Sequence, residues 1–258
     1  MWVFLSQSTV VFQLDPSRSA DVPESHFGDA REGFLIVDRY SAYKKFVKGT
    51  RIILCFCWAH QRRDFLDVAK KWPLIEAWAM KWVDEIGNLY HLNDLRLAHD
   101  KESDDYVSAD AALREAVDQM ALTRRDQLAQ PNLHPAAQKV LESMENHWAG
   151  LTVFVDHPQI PMDNNKAERA ERTPAVGRKT YYGSGSLWSG RLCATLFTIF
   201  QILLIWGINP RLWLTAFLWA CARNGNKAPY DISCWLTWNM SEQQRQALSM
   251  EPPIQDSS

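Results

Sequence analysis

The hydrophobic and polar positions follow two different periods along the chain, and the change of period divides it into regions. Residues 2–5 and 9–14 are short runs of β-branched and aromatic residues around a polar turn, which predicts a β-hairpin. Residues 33–37 and 51–56 are apolar runs of strand length, and they predict two buried strands. A short helix is predicted between the hairpin and these strands, near Val22–Phe27.

Helical periodicity takes over after residue 65. Between residues 66 and 150 apolar side chains recur at three- and four-residue spacing, which predicts amphipathic helices packed on a core. Residues 192–220 are strongly apolar, and a membrane span needs about 20 such residues. Gln201 and the break at Asn209-Pro210-Arg211 favour instead two buried helices joined by a tight turn. The polar tail, residues 224–258, is predicted to pack loosely.

Composition narrows the classes of function. The chain has 258 residues, enough for one sizeable core or two small ones, and 28 basic against 30 acidic residues. Binding to nucleic acid would therefore need local basic patches. Five cysteines without regular spacing argue against a disulfide framework and indicate a reducing compartment, so we expect a cytoplasmic protein. The first residues show no signal-peptide pattern.

Asp38 is the first candidate for chemistry. It directly follows the apolar run of residues 33–37, so its carboxylate is predicted at the carboxyl end of a strand, where sites of α/β proteins collect. In the alternative interpretation it only caps a helix that starts near Ser41. Further along, Cys55, Cys57 and His60 lack a second pair of ligands at zinc spacing, so we reject structural zinc.

The second candidate is the polar segment Pro161–Lys179, which contains three acids, five bases and two side-chain amides. Asp163, Asn164 or Asn165 can cap a helix start, and Asn165 with Glu168 fits a capping box. We expect this helix to end at Thr173, because Pro174 disfavours the helical conformation of the residue before it. Residues 177–179 would then form a flexible basic loop.

Helical spacing places Asn164, Glu168 and either Glu171 or Arg172 on one face of this segment. An acid among bases and amides suits a metal ion held beside a phosphate. The alternative is a solvated helix with a Glu168–Arg172 surface pair worth about 0.3 kcal/mol, and spacing alone favours that alternative.

Three motifs in series resemble the insertion sequence 66 (IS66) family of DDE transposases, over residues 1 to about 240. The string D-N-N-K-A-E-R followed by G-R-K resembles the family's C-terminal motif, V-D-R-Y-S-A-Y resembles T-D-G-Y-x-x-Y, and C-W-A-H-Q-R-R resembles C-W-A-H-x-R-R. By this resemblance Asp38 and Glu168 are the second and third acids of the catalytic triad. Two departures are visible, since Arg39 replaces a glycine and Thr173 precedes Pro174.

The resemblance implies an α/β fold with an RNase H-like catalytic core, strand order 3-2-1-4-5, a long helical insertion and C-terminal helices. The implied segments are residues 1–65 for the first part of the core and 66–155 for the insertion. Residues 156–223 would hold the last catalytic helix and the C-terminal helices, and residues 224–258 the polar tail. The core is expected to be incomplete, because no residue matches the first acid or the central first strand.

The resemblance also implies the chemistry. Two divalent ions, Mg²⁺ or Mn²⁺, would be held by three carboxylates, of which this chain has Asp38 and Glu168, for DNA cleavage and strand transfer. Expected partners are transposon ends, target DNA and further copies of the chain, with no membrane. The expected DNA contacts are His60, Arg62, Arg63, Arg169, Arg172, Arg178 and Lys179.

The sequence leaves alternatives open both for single residues and for the whole chain. His60 is equally a helix-start histidine bonded to backbone, and Arg62 and Arg63 are equally a solvated face. For the whole chain, the first hypothesis is a truncated transposase that is inactive alone. The second is a non-catalytic DNA-binding or regulatory remnant of a transposase. A small membrane-associated protein built on residues 192–220 is the third hypothesis.

Overall fold

The described part of the chain, residues 1–181 and 183–249 of a computed structural model, forms two compact units. The central unit is Ser17–Asn165, and the terminal unit combines Met1–Pro16 with the chain from Lys166 onward. The strands are β1 Trp2–Leu5, β2 Val10–Gln13, β3 Glu32–Val37 and β4 Arg51–Phe56. The four segments predicted above follow the motifs rather than these units and stay a prediction.

Helices dominate both units. The helices of the central unit are α1 Asp21–Phe27, α2 Ser41–Phe46, α3 Trp58–Lys71, α4 Glu76–Leu97, α5 Asp104–Leu128, α6 Pro135–Leu151 and α7 Val153–Asp156. Those of the terminal unit are α8 Asn165–Tyr181, α9 Leu187–Ile205, α10 Pro210–Arg223 and α11 Glu242–Ala247. The first residue of α8 is also the last residue of the central unit.

A parallel strand pair is built into the central unit. Strands β3 and β4 pair in register from Glu32 opposite Arg51 to Val37 opposite Phe56. The two predicted strands are therefore confirmed, and their carboxyl ends lie at the same edge. One face of the pair packs on the core, because Val37 and Phe56 are buried there.

The core of the central unit lies between this pair and helices α3 to α6. The predicted apolar stripe of α4 is confirmed, since Trp82, Ile86 and Leu89 are all buried. The largest fully buried apolar side chains of this core are Trp58, Phe65, Ile86, Leu89, Leu113, Leu141, Met144, Leu151 and Phe154.

A buried arginine ties three helices of this unit together. Arg96 on α4 is 0% exposed and donates to Asp110 on α5 at 2.8 Å and to the carbonyl oxygens of Phe154 and Val155 at 2.9 Å. A buried charge is tolerated only when it is paired and hydrogen-bonded, and these contacts supply both.

In the terminal unit the predicted hairpin is confirmed. Strands β1 and β2 pair antiparallel, with Trp2 opposite Gln13 and Leu5 opposite Val10. The hairpin packs on α9 through Phe12, whose N–H donates to the Thr198 hydroxyl at 2.9 Å, and through the buried Ala194. Within the described residues the hairpin and the parallel pair are separate two-stranded sheets. The mixed α/β class is supported, and a single RNase H-like sheet stays a prediction.

Helix α8 runs through Pro174, so the predicted end at Thr173 is wrong. A proline inside a helix removes one N–H, the one that would bond to the Ala170 carbonyl, and its ring crowds that carbonyl at a cost of about 3 kcal/mol. Its fixed φ is nevertheless helical, so the helix can continue past it. Residues 177–179, predicted as a flexible loop, lie inside α8.

The Asn-Pro turn between α9 and α10 is confirmed. The Asn209 side chain accepts from the N–H groups of Arg211 and Leu212, and Pro210 occupies the first helical turn. The predicted burial of both helices is wrong. In α9 only Gly190, Ala194 and Leu203 are buried, because the rest of the terminal unit covers only part of this helix.

Among the described residues α9 is the one helix long and apolar enough to cross a membrane, with a mean hydropathy of 1.5. Its contacts with β2 show that one side of it is committed to packing on protein.

One part of the tail packs more closely than predicted. Trp213 on α10 donates its indole N–H to the Trp235 carbonyl at 3.2 Å, and the two rings meet edge to face. Met240 and Thr237 are buried nearby in the sequence. Loose packing is therefore wrong for residues 235–240, which pack against Trp213 of α10, whereas residues 224–234 are largely exposed. The rest of the predicted tail, residues 250–258, lies outside the described residues.

Candidate active site

Asp38 lies where the sequence predicted it, directly after β3, and its side chain is exposed. One carboxylate oxygen accepts the Tyr40 N–H at 3.0 Å, as in a turn closed by an aspartate. Helix α2 begins at Ser41 with Tyr40 as its N-cap residue. Asp38 therefore shapes the turn before α2 without being its cap.

Arg39 binds this turn to two helices. Its guanidinium lies 2.6 Å from the Asp64 carboxylate on α3 and donates to the Ser143 hydroxyl on α6 at 2.8 Å. It also contacts the Gln61 side-chain oxygen at 3.4 Å. The residue that departs from the family motif thus has a structural use of its own, because it fixes the backbone beside Asp38.

The second motif starts at the same edge of the parallel pair. Since Val37 lies opposite Phe56, the next residues, Asp38 and Cys57, leave the strands together. Helix α3 is anchored by Trp58, which is fully buried and donates its indole N–H to the Leu151 carbonyl at 2.7 Å. This anchor fixes the direction in which the first turns of α3 present their polar side chains.

His60 is half-buried, whereas Arg62 and Arg63 are exposed on those first turns. Their exposure fits both interpretations, a solvated face and a surface that contacts DNA phosphates. The two cysteines at this edge are buried. Burial raises the pKa of the Cys55 thiol to about 12 and also raises that of Cys57, because desolvation disfavours the thiolate. Neither thiol is therefore poised as a nucleophile.

The third motif is fastened to the start of α3. The Trp58 N–H donates to the Met162 carbonyl at 2.9 Å. Next to it, Asp163 accepts the Asn165 backbone N–H at 3.0 Å and the Asn165 side-chain amide at 2.7 Å. Asp163 is thus confirmed as a residue that satisfies a donor at the helix start. Helix α8 begins at Asn165, whose side-chain amide donates to Asp163, and the capping box of Asn165 with Glu168 stays a prediction.

Tyr90 on α4 completes this arrangement. Its hydroxyl donates to the second oxygen of Asp163 at 3.2 Å. Burial strongly raises the pKa of the Tyr90 hydroxyl, and the negative charge of Asp163 adds to the effect. No sequence motif marks Tyr90, which lies within the helical periodicity of α4 and so could not be predicted as a site residue.

The five remaining predicted residues lie on α8, in the terminal unit. Glu168 is half-buried and follows Asn165 by slightly less than one helical turn. The four bases on this helix, Arg169, Arg172, Arg178 and Lys179, are exposed.

The arrangement of the predicted residues therefore has two parts. The structure gathers Asp38, the α3 residues and Asp163 in the central unit, and it places Glu168 with four bases in the terminal unit. The meeting of Asp38 with Glu168 at one metal ion stays a prediction. In the described residues there is no group of three or more His, Cys, Asp or Glu side chains able to hold a metal ion.

Arg178 borders a groove of about 600 Å³ inside the terminal unit. Glu171 on the same helix and the hydroxyl residues Ser184 and Ser186 also line it. The groove has one acidic and one basic side chain, so it is mixed in charge.

Comparison with known proteins agrees with the three motifs. The family model described as "Transposase IS66 family" matches residues 1–192. The chain belongs to the IS66 transposase family. This IS66-family chain is 27% identical to the uncharacterized protein y4jD of Sinorhizobium fredii (strain NBRC 101917 / NGR234), over 94% of the chain and 48% of that relative. It is 28% identical to y4qI of the same strain, over 91% of the chain and 44% of the relative.

The chain spans about half the length of these curated relatives. No solved structure matches it.

Proposed function

We propose that this IS66-family chain is part of a DNA transposase that performs metal-dependent phosphoryl transfer on an RNase H-like core. One observation carries the proposal. The edge of the parallel pair brings together Asp38, the exposed bases at the start of α3 and the segment that opens α8. These segments belong to the three family motifs, and the third of them follows the other two by about 100 residues in the sequence.

The donor atoms suit the proposed ions. Mg²⁺ and Mn²⁺ prefer oxygen ligands, and the Asp38 carboxylate is exposed at a strand end with a fixed backbone. Glu168 supplies the second carboxylate. The family site has three, so we propose that a further segment of polypeptide supplies the third. When bound, the ions activate the attacking hydroxyl and stabilise the leaving oxygen.

The side chains around the acids have supporting tasks. Arg39 holds the Asp38 turn against α3 and α6. Asp163 and Tyr90 hold the first residue of the helix that carries Glu168. Arg62 and Arg63 bind DNA phosphates, whose charge is best met by exposed guanidinium groups. Soluble, oligomeric and cytoplasmic behaviour follows the family and is part of this proposal.

Iron-directed cleavage tests the pairing of the two acids. Fe²⁺ replaces Mg²⁺ at oxygen sites, and with ascorbate and peroxide it releases radicals that cut the nearby backbone. We expect cuts around residues 38 and 168 in the same molecule. Asp38→Asn and Glu168→Gln should each remove both sets of cuts, and Asp67→Asn, which changes an exposed acid on α3, should remove neither. Cuts at one site that survive loss of the other acid would contradict a shared ion.

A second candidate function is DNA binding without chemistry. The exposed bases of α3 and α8 support it, because they need no metal. It predicts duplex binding that weakens steeply with salt, by about 0.9 in log–log slope for each phosphate contact. It also predicts that EDTA leaves the affinity unchanged. Metal-dependent cleavage of DNA by the chain together with a segment that supplies the third carboxylate would exclude this alternative.

A further inference from the structure

A long part of the terminal unit is purely cationic. Between Glu171 and Asp231 the sequence has seven basic residues and no carboxylate, although the whole chain has a net charge of −2. Helices α9 and α10 fall within this stretch. Its seven cations are Arg172, Arg178, Lys179, Arg191, Arg211, Arg223 and Lys227. A cationic stretch of this length favours a polyanionic partner.

Exposed aromatic rings occur in the same stretch, each three or four residues from a cation in the sequence. Trp188 on α9 is 73% exposed and Trp219 on α10 is 64% exposed. Arg191 follows Trp188 by three residues and Arg223 follows Trp219 by four, so each pair shares a helix face. Tyr230, beyond α10, is fully exposed and follows Lys227 by three residues.

These rings have no evident role in folding. Other tryptophans of the chain, such as Trp58, Trp82 and Trp213, are buried and build the cores. An exposed ring with a cation on the same helix face can stack on a flat group and attract a negative charge. The partner has to offer both negative charge and flat apolar groups.

We propose that the α9–α10 region binds single-stranded DNA, with unpaired bases stacking on Trp188 and Trp219 and the phosphates lying against Arg191 and Arg223. Every base has a π face, so such a surface tolerates any sequence. Unpaired strands expose the faces of their bases, whereas in duplex DNA stacking covers those faces. The inference rests on the proposed function, because a transposase substrate is the source of unpaired strands.

Two other partners fit the surface less well. A second copy in a two-fold contact would set the same cations against each other, with no carboxylate in this stretch to neutralise them. For a lipid bilayer, the exposed Leu212 and Leu218 on α10 are available as contacts. Helix α9 is the element that limits this partner. Helix α9, the most apolar element, already has one side packed on the hairpin through Ala194 and Thr198, which removes that side from lipid.

The test measures affinity for a fluorescently labelled thymidine 12-mer and for a duplex of equal length, by anisotropy at low salt. Trp188→Ala and Trp219→Ala should each weaken single-strand binding roughly tenfold or more, and Trp219→Phe should restore most of it because it keeps a ring. The control is Trp238→Ala, since Trp238 is 50% exposed in the same unit and has no cation within four residues. Arg191→Gln and Arg223→Gln should each lower the salt slope by about 0.7.

Each outcome decides between partners. Equal affinities of the tryptophan variants and the parent chain would overturn the inference. So would tryptophan-dependent binding to anionic vesicles without binding to the 12-mer, or a tryptophan-dependent dimer in sedimentation. Iron-directed cleavage at residues 38 and 168 without single-strand binding would refute this surface and leave the proposed function standing. Tryptophan-dependent single-strand binding without paired cuts would leave the surface standing and refute the shared metal ion.

Discussion

Gly150 offers the sharpest test of how the central unit is packed. It lies in α6, where that helix crosses β4. A Cβ atom built on Gly150 would overlap the Phe56 ring and approach the Leu54 carbonyl oxygen to 2.6 Å. The ring can turn away only partly, and the carbonyl belongs to the strand ladder. We therefore expect Gly150→Ala to push α6 away from β4.

The sign of the effect follows from two opposing terms. Alanine in place of glycine inside a helix stabilises by about 1 kcal/mol. Overpacking a well-packed site costs about 1–3 kcal/mol, and the contact with backbone favours the upper end. The expected net loss in the free energy of unfolding is about 1–2 kcal/mol.

Gly87 is the matched control. It lies in the exposed interior of α4, in the same unit, and a Cβ there meets nothing within 4 Å. Gly87→Ala should raise the free energy of unfolding by about 0.5–1 kcal/mol, because only the helix propensity changes. The two variants share one transition, so guanidinium denaturation followed by far-ultraviolet circular dichroism compares them directly. A Gly150→Ala variant as stable as Gly87→Ala would refute the close approach of α6 to β4.

Two further predictions concern charges of the central unit. Arg39→Met should lower the free energy of unfolding by about 1 kcal/mol, because Arg39 is 22% exposed and holds Asp64 and Ser143. The control Arg51→Met breaks an ion pair whose side chains are 78% and 70% exposed, and it should change the free energy of unfolding by less than about 0.5 kcal/mol. Equal losses of the two variants in denaturation experiments would contradict a role for Arg39 in fixing the Asp38 turn. Burial alone would raise the pKa of Asp110, but hydrogen bonds from Arg96 and Arg114 outweigh it and lower that pKa. Because the folded pKa lies below the unfolded value of about 3.9, Asp110 stabilises the fold above that value, and the stabilisation is lost as the pH falls through the folded pKa. Asp110→Asn should therefore show a smaller fall in unfolding free energy below about pH 4, and an unchanged pH profile would show that this ion pair does not link stability to pH.

Local patterns predicted most of the elements. The hairpin, both strands of the parallel pair, the stripe of α4 and the Asn-Pro turn were confirmed, because alternation, apolar spacing and turn chemistry report the local backbone directly. Pro174 shows the limit of this reasoning. The effect of a proline on the residue before it predicts that α8 ends at Thr173. The helix continues, because losing one hydrogen bond costs less than the stabilisation that keeps the helix continuous.

The candidate site was predicted only in part. The motifs indicated Asp38, Glu168 and the bases on α3 and α8, and Asp163 was foreseen as a helix cap. Tyr90 and the contacts of Arg39 were not foreseen. Tyr90 reaches Asp163 across 73 residues, and Arg39 reaches Ser143 across 104. Such contacts depend on how helices cross, and no spacing in the sequence records that.

Local sequence patterns therefore predict most of the strands and helices and indicate which side chains have the chemistry for metal and phosphate. Tertiary structure alone decided that β3 and β4 pair in parallel so that Asp38 and Cys57 emerge together, and that α9 and α10 keep aromatic rings exposed. The physical reason is that periodicity reports how each segment divides its own faces. Which face meets which partner depends on the free energy of all contacts made at once.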